Sequence, residues 1–168
     1  MTEPLVSLAP LVSAQTKLLI LGSFPGVASL RAQQYYGHPQ NHFWRILQAI
    51  WPSEVVNTSA GSYQFRSQWL LSKNLGVWDM YASCEREGSL DSNIRQAVLN
   101  DFSSLSQWCP RLEAIAHNGS ESFKHARHSR ALGLPVYRLP STSPANASWS
   151  FERKLAAWRA VFVTHGLI

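Results

Sequence analysis

The segment KLLILGSFPG, residues 17–26, decides the architecture. Its short apolar run reads as a buried strand that ends abruptly in the tight loop GSFPG. Three further apolar runs follow, LGVWDMYA (75–82), LEAIAH (112–117) and PVYRL (135–139). Between them lie patterns of helical period. HFWRILQAI (42–50) sets Phe43, Ile46, Leu47 and Ile50 on one face, and Pro52 stops it. Residues 62–73 form a short helix carrying Phe65 and Trp69. Residues 89–108 read as one or two helices divided near Asp101. Residues 120–132 read as one helix ended by Gly133, and the last helix aligns Phe151, Leu155, Trp158 and Phe162.

Short strands alternating with helices predict an α/β fold, with a mainly parallel four-stranded sheet covered on both faces. With no repeat, low-complexity tract or linker, one domain is expected over 1–168, residues 1–14 being peripheral. Ligands bind such sheets outside the carboxyl ends of the strands. The unusual polar sequences lie there: GSFPG after the first strand, HNGS after the third and PSTSPANAS after the fourth. The segment YYGHPQNHFW (35–44) enters the same crevice from the long first loop.

Composition narrows the classes. A chain of 168 residues with 45% hydrophobic and 15% charged residues is a globular domain with a real core. Fifteen Lys and Arg against ten Asp and Glu favour a polyanionic partner, though weakly on their own. Two cysteines without a CxxC argue against an iron–sulfur cluster, a cysteine-rich zinc site and a disulfide scaffold. Six scattered histidines lack metal-ligand spacing, so neither metal nor cofactor is expected. The N-terminus has no signal-peptide pattern, and no apolar run reaches the roughly 20 residues of a spanning helix. A cytoplasmic setting without a membrane partner is the expectation.

Each polar motif has a bland reading beside a functional one. GSFPG (22–26) either turns backbone N–H groups toward an anion or a base edge, or is a strand-to-loop turn shaped by Gly22 and Pro25. It is neither a dinucleotide fingerprint nor a phosphate loop of the nucleotide triphosphate type. Asn41 stands just before a helix, where an Asn cap is worth about 1 kcal/mol; from the residues alone, capping ranks ahead of catalysis. Tyr36 is a core ring or a stacking face for a base. His38, before Pro39, most often holds its loop by hydrogen bonds. Asn118 with Gly119 is most often a turn. The loop 140–148 caps the last helix through Ser148 or Ser150, or grips phosphates.

Taken together, the pieces resemble the uracil-DNA glycosylase superfamily. GSFPG resembles its first motif, the loop holding the hydrolytic water and the base. HPQNHFWRIL resembles the HPxNxFW segment of the mismatch-specific uracil/thymine branch. AHNGSESF resembles that branch's strand-plus-NG element, and LPSTSPANASWSFERKLAAWR the second motif with its helix. The match runs in order from about residue 17 to 160. Phe24 stands where the mismatch branch has a water-positioning Asn in GINPG. The combination with YYGHPQNHFW resembles instead the DNA-deoxyinosine (hypoxanthine-DNA) glycosylase family.

That resemblance implies a three-layer α/β/α sandwich and a monomeric, cofactor-free, monofunctional hydrolase. Its substrate would be double- or single-stranded DNA carrying a deaminated base, most readily hypoxanthine. Asn41 would be the catalytic amide, with His38 and Asn118 as donors to the departing base. Gly22, Ser23, Phe24 and Pro25 would border the base, Ser23 and Phe24 reading it through backbone groups and Tyr36 stacking on it. Ser141, Ser143, Pro144, Ala145, Asn146 and Ala147 would contact DNA, with 145–147 filling the vacated space. The alternatives are a uracil or mismatch glycosylase, which Phe24 opposes, and a non-catalytic nucleic-acid-binding module on the same fold.

Overall fold

In the computed structural model, which describes residues 3–54 and 62–168, the elements follow in the order β1 (Leu5–Val6), β2 (Leu18–Gly22), α1 (Val27–Ala32), α2 (Phe43–Ile50), α3 (Tyr63–Ser72), β3 (Leu75–Asp79), β4 (Tyr81–Glu85), β5 (Arg95–Leu99), α4 (Leu105–Trp108), β6 (Ala114–Asn118), α5 (Ser120–Phe123), α6 (Ala126–Arg130), β7 (Val136–Leu139) and α7 (Phe151–Thr164). The expected parallel sheet is present, with strand order β3-β2-β6-β7 and every neighbouring pair parallel.

The run at β2 is continuously apolar because both faces of the sheet are covered. Leu18 and Ile20 point to one side, where they pack with Phe43, Ile46, Leu47, Trp158 and Phe162 of α2 and α7. Leu19 and Leu21 point to the other side, against Phe24, Trp78, Met80, Tyr81 and Leu105. Burying each such side chain contributes about 1.5–3 kcal/mol. Helices α5 and α6 join the second face through Ser122, whose hydroxyl donates to Leu21 O, and through His117, whose ring nitrogens lie 2.8 Å from the Ser122 and Ser129 hydroxyls. The result is the three-layer α/β/α sandwich.

Residues 89–108 are not helical over their length. They contain a turn of 3-10 helix at Asp91–Asn93, strand β5 and only the short α4. Strand β5 completes a second, antiparallel sheet of order β1-β4-β5. Its residues are mostly exposed, so no core imposed a period of two on them, and backbone pairing outweighed local propensity. Residues 75–82 likewise divide. At Met80 the chain leaves the parallel sheet, its N–H bound to Gly22 O, and β4 continues in the second sheet. The expected helix 120–132 breaks at His125, which turns its Nε2 to within 2.8 Å of Tyr81 Oη. Helix α1, inside the long first loop, went unpredicted.

The N-terminal segment, expected at the periphery, packs against the core half-buried. Leu8 and Leu11 pack against the first cluster, and Tyr35 donates its hydroxyl to Ala9 O at 2.7 Å. Leu11 exchanges backbone hydrogen bonds with Val77 across Gly76. Gly76 permits this crossing: a Cβ there would lie 2.9 Å from both Thr16 Cγ2 and Val12 Cγ1. Gly76→Ala is therefore expected to lower stability by about 1–3 kcal/mol. A fall in the urea midpoint at unchanged slope checks this; an unchanged midpoint would show that the strap is not held against β3.

Candidate active site

At the carboxyl ends of β2, β3, β6 and β7 the loops enclose a cavity of about 810 Å³, within the size range of ligand sites. The sequence-predicted residues converge on it. Gly22, Ser23, Phe24 and Pro25 line one wall; Tyr36, His38 and Asn41 line a second. Asn118 stands at the base of a third, formed by Ser141, Ser143, Pro144, Ala145 and Asn146. Ala147 is exposed and is not among the lining residues.

Asn41 precedes α2, and its Oδ1 accepts the Phe43 N–H at 2.9 Å. The cap expected at Asn41 is not what forms: the cap position falls to His42, whose side chain makes no capping bond, and Asn41 instead closes a two-residue turn at the helix entrance. Its Nδ2 has no partner among the described residues, and Oδ1 keeps a lone pair. The amide is oriented by one bond and still has donors and an acceptor for a ligand. His38 closes its own loop, Nδ1 accepting the Gln40 N–H at 3.1 Å, and its ring is exposed at the cavity edge. Tyr36 holds a left-handed backbone, φ 54°, an arrangement that costs on the order of 1 kcal/mol. One face of its ring stacks on Phe43 with centroids 4.1 Å apart, and among the described residues its buried hydroxyl completes no well-formed hydrogen bond, the Asn118 amide being near enough only to interact with it.

Asn118 is held at both ends of its amide. Its Nδ2 donates to Thr142 Oγ1, and its Oδ1 accepts the Thr142 N–H, each at 3.0 Å. Thr142 O in turn accepts the His42 N–H at 3.0 Å. Thr142, fully buried between the predicted Ser141 and Ser143, joins all three loops. Behind it lies Lys154 of α7, only 1% exposed, its Nζ 3.3 Å from His42 Nδ1 and 3.5 Å from Ser143 O. Burial and the Lys154 cation lower the His42 pKa, so the neutral ring accepts from the ammonium. Ser150, one of the two expected caps, accepts the Arg153 N–H, and the Arg153 guanidinium lies 4.1 Å from the Trp149 ring centre at the cavity mouth.

Among the cavity residues that the sequence reading did not single out, two stand out. Besides Thr142 there is Asp79, the last residue of β3, which lines the cavity and is 3% exposed. Its register partner is Gly22, and a Cβ at Gly22 would lie 2.6 Å from Asp79 Oδ1 and 3.2 Å from Tyr36 Oη. Gly22 thus lets an acid and a phenol close upon the end of β2. The positional signal was available, because Asp79 ends a parallel strand just as Gly22 and Asn118 do. Ser7 of the N-terminal segment donates to Asp79 Oδ2 at 3.0 Å. Burial, opposed by that bond, pushes the carboxyl up to about 7.

Known proteins are similar in sequence over most of this chain's length. A family model of the uracil DNA glycosylase superfamily matches residues 9–162. A hypoxanthine DNA glycosylase of Methanosarcina barkeri (strain Fusaro / DSM 804) is 36% identical over 153 residues, covering 91% of this chain and 94% of the relative. A hypoxanthine DNA glycosylase of Methanosarcina acetivorans is 38% identical over 147 residues, covering 88% and 90%. The solution NMR structure of a Methanosarcina acetivorans protein assigned to the uracil DNA glycosylases superposes with a TM-score of 0.84 at 35% identity, over 98% of this chain and 99% of that one.

The raised carboxyl of Asp79 has a consequence for stability. Below the ordinary carboxylate range the group is protonated in both states and leaves stability unchanged. From about pH 4 upward the unfolded chain releases the proton while the fold retains it to about 7. Stability therefore falls through that window, by about 1.4 kcal/mol for each pH unit. Asp79→Asn should lose this decline. Urea unfolding of both proteins between pH 4 and 8 is the check, and parallel curves would contradict it.

Proposed function

For a chain that belongs to the uracil DNA glycosylase superfamily, we propose hydrolysis of the N-glycosidic bond of a deaminated base in DNA, with hypoxanthine of deoxyinosine as the preferred leaving group. The observation that carries the reading is the pairing of an Asn41 amide oriented by the Phe43 N–H with a walled cavity at the strand ends, in a chain similar to proteins named hypoxanthine DNA glycosylases.

A base in a duplex hides its glycosidic bond, so the nucleotide is flipped out at a cost of a few kcal/mol. The loop 141–147 contacts the strand, and 145–147 fill the gap left by the base. Inside the cavity Tyr36 provides a flat surface; base–aromatic stacking is worth roughly 1–3 kcal/mol. The backbone N–H groups of Ser23 and Phe24 address the polar edge of the base. As the bond to the sugar lengthens, positive charge grows on the sugar and negative charge on the base. Hydrogen bonds to the departing base, from His38 and from the second Nδ2 hydrogen of Asn118, stabilise that charge. An amide cannot take a proton at neutral pH, so Asn41 orients the water while the base leaves.

No lysine is placed to form a Schiff base. Lys124 reaches the cavity, but Glu121 holds it at 2.7 Å and raises its pKa, keeping the amine charged. The product is therefore an abasic site in an unbroken strand, the entry to base excision repair. The acting form in this reading is the monomer.

The test uses duplex and single-stranded oligonucleotides carrying one deoxyinosine, one deoxyuridine or a G:T mismatch, followed by alkali. Strand breaks at deoxyinosine only after alkali are expected. Breaks confined to deoxyuridine or to the mismatch would reassign the substrate, and binding without release from any of them would remove the catalytic reading.

A further inference from the structure

Deamination leaves one chemical mark on adenine and cytosine alike. The amino parents present a bare ring nitrogen beside an exocyclic NH₂, an acceptor next to a donor. Their products present a ring N–H beside a carbonyl, the reverse. A protein group that only accepts hydrogen bonds separates the two, because it pairs with the product and meets a lone pair on the parent.

Asp79 has the attributes of such a group in its ionised form, the form that a ring N–H arriving at Oδ1 selects. It is 3% exposed yet lines the cavity. Oδ2 is taken by Ser7, while Oδ1 has no hydrogen bond to any described residue and lies against Gly22. Among the described residues no cation forms an ion pair with it. A buried carboxylate with a single neutral hydrogen bond is costly to keep, and no ion pair in the described residues offsets that cost. Its register partner Gly22 leads directly into Ser23 and Phe24. With the Ser23 and Phe24 N–H groups as donors to the base, as in the reading above, the wall offers an acceptor beside donors, complementary to the N–H and carbonyl of a deaminated base.

We propose that Asp79 is the residue that determines specificity for deaminated bases, its Oδ1 accepting the ring N–H that deamination creates. The inference rests on the base-release reading above. A donor arriving at Oδ1 favours the charged carboxylate. An amino base leaves that carboxylate desolvated and facing a lone pair, an arrangement that sites built for hydrogen bonding reject strongly.

Asp79→Asn tests this, and it removes a buried ionisable group without changing volume, so it is expected to fold. Ser7 donates to the carboxamide oxygen, which leaves NH₂ facing the cavity and turns an acceptor into a donor. Binding is measured with oligonucleotides bearing uncleavable 2′-fluoroarabino forms of inosine or adenosine, alongside hypoxanthine and uracil release from cleavable ones. The wild type should prefer inosine, and the variant's inosine-to-adenosine preference should fall on the order of tenfold or more. An unchanged ratio, including one with hypoxanthine and uracil release slowed equally, overturns the proposal and assigns Asp79 to the water or to the fold. If the wild type releases no deaminated base, the functional reading fails first and this inference with it. If the wild type releases hypoxanthine and the ratio is unmoved, only the role of Asp79 fails.

Discussion

Thr142 is the constraint on which the site depends. Its N–H, carbonyl and hydroxyl are all engaged, the first and last by Asn118 and the second by the His42 N–H. Each bond contributes about 0.5–1.5 kcal/mol net, but leaving any of these buried groups unpaired costs about 1–3 kcal/mol. The three loops are therefore held as a unit. The end of β6, the entrance to α2 and the loop 140–149 cannot shift independently, and the position of Asn41 relative to the cavity is set through Thr142 and Asn118, which line it as well. Lys154 reinforces the junction from behind, linking His42 to Ser143 O.

This arrangement permits chemistry with little acid–base equipment. Asn41 brings no proton-transfer capacity, so its value lies in orientation, which the Phe43 N–H supplies through a turn bond at the entrance to α2. Of the acids that line the cavity, Asp79 is the buried one, secured at the floor by the N-terminal segment. N-terminal segment and cavity floor are joined by one hydrogen bond, so stability and the shape of the cavity share their contacts here.

Much of this was legible in the residues. The apolar runs revealed the parallel sheet because burial on both faces leaves no alternation to confuse. The helices α2 and α7 followed from their apolar faces, and the family resemblance located the wall residues through short motifs. What stayed hidden depends on pairing across the fold. Strand β5 is exposed and edge-like, so its local pattern carried no period. Asp79 looked like an ordinary polar break within LGVWDMYA; its importance appears only when β3 lies in register with β2, opposite Gly22. Thr142 was hidden between two serines, although it is the fully buried member of the three. The helix 120–132 failed because tertiary hydrogen bonds from His117 and Tyr81 outweigh its local propensity.

Single-turnover hypoxanthine release by Asn41→Ser, with thermal unfolding alongside, probes the role of the Asn41 amide most directly. Serine can accept the same N–H in a turn of the same kind, but its shorter side chain does not reach as far into the cavity as the amide. Release should fall on the order of a hundredfold with the unfolding midpoint nearly unchanged. Near-normal release would contradict the catalytic role, reducing Asn41 to a turn residue at the entrance to α2 and returning the source of catalysis to another wall of the cavity.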